Sequence, residues 1–158
     1  MTNFFNVTKI TDSDLKTSIT HRIMSSLTAW FSPSEDIEQK AIMHKEMPFF
    51  AAFDEGKDIG FIALKVHNEY TVEIFNFGVL EKYHRKGVGQ AIFNSVELYC
   101  KEKGCKFITV KTLDSSSEYE PYERTRAFYL KNGFYPLEVF PLFWNKENPC
   151  LFLAKHIV

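Results

Sequence analysis

The sequence predicts a mixed α/β domain, an α+β arrangement in which six to seven mostly antiparallel strands form one sheet flanked by about four helices. Three observations carry this prediction: a length of 158 residues, a hydrophobic share of 45%, and apolar periodicities that change between strand and helix along the chain. A chain of this size buries one core, and no repeat or linker divides it. We therefore expect residues 1–158 to form a single domain.

A short strand, two helices and an antiparallel meander of three strands are predicted for the first half of the chain. Residues 32–35 (SPSE) have the pattern of a helix start, because a capping serine precedes proline and a glutamate follows three residues after the cap. Turn-forming residues separate the strands of the meander. The predicted elements are a strand over 4–10, helices over 12–30 and 33–46, and strands over 49–53, 59–66 and 71–80.

The second half predicts a long helix between two strands, followed by one more helix and two strands. Val88, Ile92, Val96 and Tyr99 repeat with the period of a helix face, and Gly104 follows where a left-handed helix cap belongs. Because a strand, helix and strand in this order form a crossover, the two strands beside this helix should be parallel. The predicted elements are a helix over 88–103, a strand over 106–112, a helix from Pro121 to about Asn132, and strands over 134–140 and 150–157.

Charge, hydropathy and cysteine content exclude several classes of protein. Nineteen Lys and Arg against twenty Asp and Glu give a formal charge of −1, which provides no electrostatic basis for a general nucleic-acid binder. No apolar run approaches the roughly 18 residues of a membrane span, and no secretory leader pattern is present. Cys100, Cys105 and Cys150 show neither a disulfide pattern nor a metal spacing. We expect a cytoplasmic protein without nucleic acid, membrane or metal.

A basic, glycine-containing turn links the predicted strand over 71–80 to the helix after it. Two glycines allow a ligand to approach the backbone closely, and the N–H groups at a helix start attract anions. Three positive side chains fall within five residues of the turn, which suits a phosphate-rich ligand, although a tight turn with a solvated basic rim fits equally well. A dinucleotide fingerprint is excluded because its third glycine position is Ile92. The turn consists of Tyr83, His84, Arg85, Lys86, Gly87, Val88, Gly89 and Gln90, and the three positive side chains are Lys82, Arg85 and Lys86.

Two motifs together resemble those of the GCN5-related N-acetyltransferase (GNAT) superfamily. Residues 84–89 (HRKGVG) are similar to its acetyl-CoA motif, Q/R-x-x-G-x-G/A after the fourth strand, with His84 in place of Gln or Arg. Residues 128–134 (FYLKNGF) are similar to a second signature, aromatic-Tyr-x-x-x-Gly-Phe. The two motifs stand in the order that the family shows, each on the expected element. Over residues 47–158 the chain therefore resembles a GNAT acetyltransferase, and earlier residues match only in the order of elements.

The resemblance implies acetyl-CoA as cosubstrate, a primary amine as acceptor, and direct attack in a ternary complex without a covalent enzyme intermediate. It also implies that the turn 84–90 binds pyrophosphate through backbone N–H groups. The fourth and fifth strands should splay apart, so that pantetheine bonds the backbone of Phe77, Gly78 and Val79. The N–H of Val79 is the implied partner of the oxyanion.

Two side chains are candidates for proton chemistry in such a reaction. Tyr129 stands where the family commonly places the donor to the departing thiolate, although it is also compatible with a half-buried helix residue. Glu73 shares a strand face with Phe75 and Phe77 and precedes Gly87 by 14 residues, as the base does in the histone-acetyltransferase branch. Ordered water, or a solvent-exposed glutamate at the strand end, remains an alternative for Glu73.

Several alternatives stay open at the level of sequence. The fold also suits a non-catalytic acyl-CoA sensor or regulatory module, or a domain whose turn holds nothing. The identity of the amine and the oligomeric state, including a homodimer, are not determined. Trp30, Phe143 and Trp144 fit an acceptor pocket as well as core or dimer packing. An acidic run formed by Asp114, Glu118, Glu120 and Glu123 fits attraction of a cationic amine or, preferably, a solvated loop.

Overall fold

The computed structural model describes residues 5–31 and 36–158, which contain four α-helices and a seven-stranded sheet. The predicted mixed fold with six to seven strands and about four helices is confirmed. The first elements are β1 (Asn6–Lys9), α1 (Ser13–Ser26), α2 (Ile37–His44), β2 (Phe49–Asp54), β3 (Lys57–Val66) and β4 (Thr71–Val79). The remaining elements are α3 (Val88–Lys103), β5 (Phe107–Leu113), α4 (Pro121–Lys131), β6 (Tyr135–Asn145) and β7 (Asn148–His156).

The strand order of the sheet is β1-β2-β3-β4-β5-β7-β6. β1 with β2, β2 with β3, β5 with β7 and β6 with β7 are antiparallel pairs. β4 and β5 are parallel because α3 carries the chain across between them. No helix in residues 5–31 or 36–158 combines the length and hydropathy of a membrane span.

The two N-terminal helices are shorter than the sequence predicts. α1 ends at Ser26 instead of residue 30, where the Ser25 and Ser26 hydroxyls donate to backbone carbonyls of the preceding turn. α2 is capped by Asp36, whose side chain accepts a hydrogen bond from the Gln39 N–H at 2.9 Å. The predicted helix start at 32–35 lies outside the described residues.

Among the described residues, one compact unit comprises residues 5–31, 36–66 and 75–99. Its core places the apolar face of α1 against β2 and β3. The strand side of this core is dominated by two stacked rings, Phe49 and Phe61, whose centroids are 5.3 Å apart. The helix side consists of Ile19, Ile23, Met24 and Leu27.

A fully buried histidine joins α1, α2 and β4 within this unit. His44 Nδ1 lies 2.8 Å from Thr20 Oγ1, and His44 Nε2 lies 2.7 Å from Asn76 Oδ1. Burial lowers the pKa of His44 to about 4, which the Asn76 hydrogen bond opposes and the charges of Lys40 and Lys16 reinforce. His44 is therefore a neutral, hydrogen-bonded core residue at neutral pH.

We expect the stability of the protein to fall as the pH decreases from 6.5 to about 4, because the unfolded chain then binds a proton that folded His44 excludes. The free energy of unfolding should decrease by roughly 1.4 kcal/mol per pH unit across this window. Urea titrations at several pH values measure the slope. His44→Phe keeps an aromatic ring in place and should lack this contribution, so equal slopes in the two proteins would contradict the assignment.

The second compact unit comprises His67–Ile74 and Cys100–Val158. Its strands are the beginning of β4 together with β5, β7 and β6. Arg126 of α4 is buried and donates to the carbonyl of Leu113 at 2.6 Å, which attaches the helix to the end of β5. β6 is exposed over most of its length, and its pairing with β7 shifts register at two places. The three cysteines are free thiols, of which Cys100 and Cys150 are buried.

Candidate functional site

The turn after β4 has the backbone geometry of an anion-binding helix start. Gly87 has a φ of +85°, and its carbonyl accepts the first intrahelical bond from Ala91 N–H at 3.0 Å. The N–H groups of Val88 and Gly89 precede that bond and therefore point out of the helix N-terminus. The positive end of the α3 dipole lies at the same place. The backbone of the turn can accordingly hold a phosphate group.

Three exposed cations surround this turn. Lys82 and Lys86 place Nζ at 5.3 and 5.8 Å from the centroid of the Tyr83 ring, and Arg85 has a φ of +64°. The Tyr83 hydroxyl donates to Asp54 Oδ2 at 2.7 Å, which fixes the ring beneath the two lysines. Two of the three cations predicted for the turn, Lys82 and Lys86, therefore lie around one anchored aromatic side chain.

His84, which departs from the family motif, ties the turn to the end of β4. Its Nε2 lies 2.7 Å from the carbonyl oxygen of Val79, and its ring meets Trp30 edge-on at a centroid distance of 5.2 Å. Because a carbonyl oxygen only accepts, Nε2 carries the proton and donates it. Sequence reasoning missed this contact, since the motif indicates the helix start but not the partner of its first side chain.

The end of β4 carries the three residues predicted to meet pantetheine. The parallel register with β5 runs from Thr71 to Ile74, while β4 itself continues to Val79. A Cβ at Gly78 would lie 3.0 Å from Leu27 Cδ1 and 3.4 Å from Ile23 Cγ2. Packing against α1 therefore accounts for the glycine, independently of any ligand.

Glu73 is buried in the second unit, but it is not the lone carboxylate on an apolar face that its spacing suggests. Its Oε1 lies 2.6 Å from His67 Nε2, and its Oε2 lies 3.0 Å from Lys111 Nζ. Only 5% of Glu73 is exposed. Lys111 stands 38 residues along the chain, on β5, so no local pattern could predict the pair.

Lys111 is surrounded by aromatic side chains of the same unit. Its Nζ lies 5.2 Å from the centroid of Phe143 and 5.7 Å from that of Phe152. The ring of Phe143 in turn contacts Trp144. The buried Cys150 lies close by, and burial raises the pKa of its thiol to about 11. The Lys111 ammonium thus contacts the Glu73 carboxylate and lies near two aromatic rings of this unit.

Tyr129 is buried in α4 instead of half-buried. Its ring makes edge contacts with Phe134 and Phe128 at centroid distances of 5.3 and 5.7 Å. Burial raises the pKa of the Tyr129 hydroxyl well above its usual range. The hydroxyl therefore keeps its proton at neutral pH and is able to donate a hydrogen bond.

The acidic run has a local structural role at its first residue. Asp114 Oδ2 accepts from Ser116 N–H at 3.1 Å and from Ser116 Oγ at 2.6 Å, which caps a short 3₁₀ turn. These hydrogen bonds lower the pKa of Asp114. The loop interpretation is favoured for this residue. Within residues 5–31 and 36–158, no cluster of three or more His, Cys, Asp or Glu has the arrangement of a metal site.

The candidate residues fall into two groups. Phe77, Gly78, Val79 and the turn belong to the first unit, where the His84 bond to Val79 joins strand and turn. Glu73 and Tyr129 belong to the second unit.

The sheet in which β4 and β5 are parallel, and the basic glycine turn at the start of α3, agree with the resemblance to GNAT acetyltransferases. Residues 17–134 match the model of the Acetyltransferase (GNAT) family. The chain therefore belongs to the GNAT family of acetyltransferases.

One relative in sequence and two solved structures are similar to this chain. An uncharacterized N-acetyltransferase of Chlorobaculum tepidum is 33% identical over 67 residues, 42% of this chain and 43% of that protein, so the match spans less than half of the relative. The ribosomal-protein-S18-alanine N-acetyltransferase from Escherichia coli has a TM-score of 0.78 at 16% identity, with 98% and 94% of the two chains covered. A GNAT family acetyltransferase from Elizabethkingia anophelis with acetyl-CoA bound has a TM-score of 0.75 at 20% identity, with 98% and 99% covered. These structures share the fold.

Proposed function

We propose that the protein is an N-acetyltransferase that moves an acetyl group from acetyl-CoA to a primary amine. The observation that carries the proposal is the turn before α3, where Gly87 at a φ of +85° and two outward N–H groups lie among three cations. This combination suits the pyrophosphate of coenzyme A. The Elizabethkingia anophelis relative, which has the same fold with acetyl-CoA bound, supports the choice of ligand.

The proposed cofactor site uses backbone groups more than side chains. Residues 84–90 hold the pyrophosphate, with the N–H groups of Val88 and Gly89 as donors and Arg85 and Lys86 as neutralising charges. The backbone of Phe77, Gly78 and Val79 bonds the pantetheine amides. His84 supports this arrangement by holding the Val79 carbonyl, and so fixes the strand end relative to the turn.

The chemical step needs a neutral amine, a stabilised oxyanion and a partner for the departing thiolate. We assign the oxyanion to the Val79 N–H and the thiolate to the Tyr129 hydroxyl. A phenol has a pKa near 10 and a thiol near 8.5, so complete proton transfer from tyrosine to the thiolate is uphill by roughly 2 kcal/mol. Burial raises the pKa of the Tyr129 hydroxyl and makes this transfer more costly still. Tyr129 therefore stabilises the thiolate by donating a hydrogen bond. Glu73 supplies the negative charge that favours removal of the acceptor's proton.

Acetyl-CoA should raise the melting temperature of the protein, whereas NAD should not, because the turn lacks the third glycine of a dinucleotide site. At a ligand concentration 100 times Kd, binding should add about 2.7 kcal/mol to the free energy of unfolding. Differential scanning fluorimetry measures the shift. An absent shift with acetyl-CoA, or an equal shift with NAD, would contradict the proposed cofactor site.

The amine that accepts the acetyl group is best identified by an acetyl-CoA turnover assay against several classes of amine. Acetyl-CoA is incubated with small amines, polyamines, aminoglycosides, lysine peptides and peptides with free N-termini, and release of the coenzyme A thiol is followed. The relationship to the ribosomal-protein-S18-alanine enzyme supports including an N-terminal alanine peptide. Thiol release that depends on an amine supports the proposal. Tight acetyl-CoA binding without turnover on any amine class would instead indicate an acyl-CoA sensor.

A further inference from the structure

The Glu73 carboxylate has two cationic or proton-donating partners before any substrate arrives. Lys111 Nζ lies 3.0 Å from one oxygen and His67 Nε2 lies 2.6 Å from the other. Each oxygen of the Glu73 carboxylate therefore already accepts a hydrogen bond, one from His67 and one from Lys111. It is well placed to orient and polarise its histidine partner.

The contact with Glu73 determines which nitrogen of His67 is available. A carboxylate oxygen accepts, so His67 Nε2 carries a proton and donates it. In the neutral ring, Nδ1 then holds a lone pair. The His67 side chain is 36% exposed against 7% for Glu73, so the imidazole is the accessible end of the pair. His67 begins the turn after β3, where its N–H bonds the carbonyl of Thr71 at 3.0 Å.

We infer that His67 is the proton acceptor of the acetyl transfer, with Glu73 as its positioning residue; this rests on the proposed function and refines the role given to Glu73 there. The acceptor ammonium loses one proton to His67 Nδ1, which leaves a neutral amine and an imidazolium. Glu73 stabilises the imidazolium through Nε2–H, and solvent later removes the proton from the exposed ring. The amine then attacks the thioester and forms the amide, and its second proton leaves with the thiol.

Charged groups around the dyad set its electrostatics. Glu73 comes from β4, Lys111 from β5 and the Cys150 thiol from β7, and Glu69 lies in the same turn as His67. Lys111 partly neutralises Glu73, but it does so without occupying the oxygen that faces His67. Glu73 Oε1 therefore accepts from His67 Nε2, while Lys111 donates to the other oxygen.

We expect His67→Gln to lower kcat/KM for the amine roughly 10²-fold at pH 7, and the defect to shrink toward pH 10, where amines deprotonate in solution. The KM for acetyl-CoA should be unchanged. Added imidazole should restore part of the rate of His67→Ala. Glu73→Gln should show the same altered pH profile, and the double variant should be no worse than either single variant, because the two residues act as a unit.

His156→Gln, which changes an exposed histidine of the same unit, serves as the matched control and should keep wild-type rates. Melting temperatures of all variants confirm folding, and imidazole rescue separates a chemical defect from a structural one. Parallel pH profiles for wild type and His67→Gln, or no rescue by imidazole, would overturn the inference while leaving the acetyltransferase intact. A wild-type protein that binds acetyl-CoA but turns over no amine would overturn the proposed function and this inference together.

Discussion

Tyr129→Phe should lower kcat roughly 10²- to 10⁴-fold, the range typical of a lost acid or hydrogen-bond donor in the transition state. Burial raises the pKa of the hydroxyl, so Tyr129 is protonated at neutral pH and the variant lacks a proton that the wild type can donate. The phenyl ring still packs against Phe134 and Phe128, and little volume is lost. Stability and acetyl-CoA affinity should therefore remain close to those of the wild type.

The measurement is a single-turnover rate, so that product release does not hide the chemical step. Tyr135→Phe removes a hydroxyl from an exposed residue and is the matched control. If Tyr129→Phe stays within threefold of wild type in single turnover, Tyr129 is a core residue and water or another side chain meets the thiolate.

Local patterns predicted those parts of the fold whose signals lie close together in the sequence. The helix over 88–103 was predicted at its observed bounds, because its apolar period and the glycine after it, Gly104, are both local. α1 ends four residues earlier than predicted, at Ser26. Hydroxyl groups near its end compete for backbone carbonyls, and periodicity does not register that competition.

The candidate site divides in the same way. The basic turn was found from sequence because its glycines and cations are adjacent in the chain. Lys111 and His67 as partners of Glu73 were not, since strand pairing and a turn bring them together from 38 and 6 residues away. The alternation of the strand predicted that Glu73 lies on a face shared with apolar residues, and Glu73 is buried in the structure. The partners of the buried Glu73 side chain come from β5 and from the turn after β3. A pattern within one strand carries no information about those elements.

Gly89→Val should weaken acetyl-CoA binding roughly 10²- to 10⁴-fold, since two charge-assisted hydrogen bonds of about 1.5–3 kcal/mol each are lost. Gly89 is the second residue of α3, and its N–H is one of the two proposed pyrophosphate donors. A branched side chain there keeps a phosphate away from the helix N-terminus. The fold should survive, because valine is at least as favourable as glycine inside a helix. Isothermal titration calorimetry gives Kd, and circular dichroism verifies that the helices are retained.

Gly104→Ala separates loss of the site from loss of the helix. Gly104 follows the other end of α3 at a φ of +78°, so alanine there strains the backbone and destabilises the protein without touching the turn. If the turn binds pyrophosphate, Gly104→Ala keeps wild-type affinity while Gly89→Val loses it, although both alter the same helix. Equal losses in the two variants would mean that affinity follows helix stability, and unchanged affinity in Gly89→Val would mean that coenzyme A does not bind at the α3 N-terminus. The affinity for acetyl-CoA depends on which end of α3 is substituted only if the backbone at 88–89 forms the binding site.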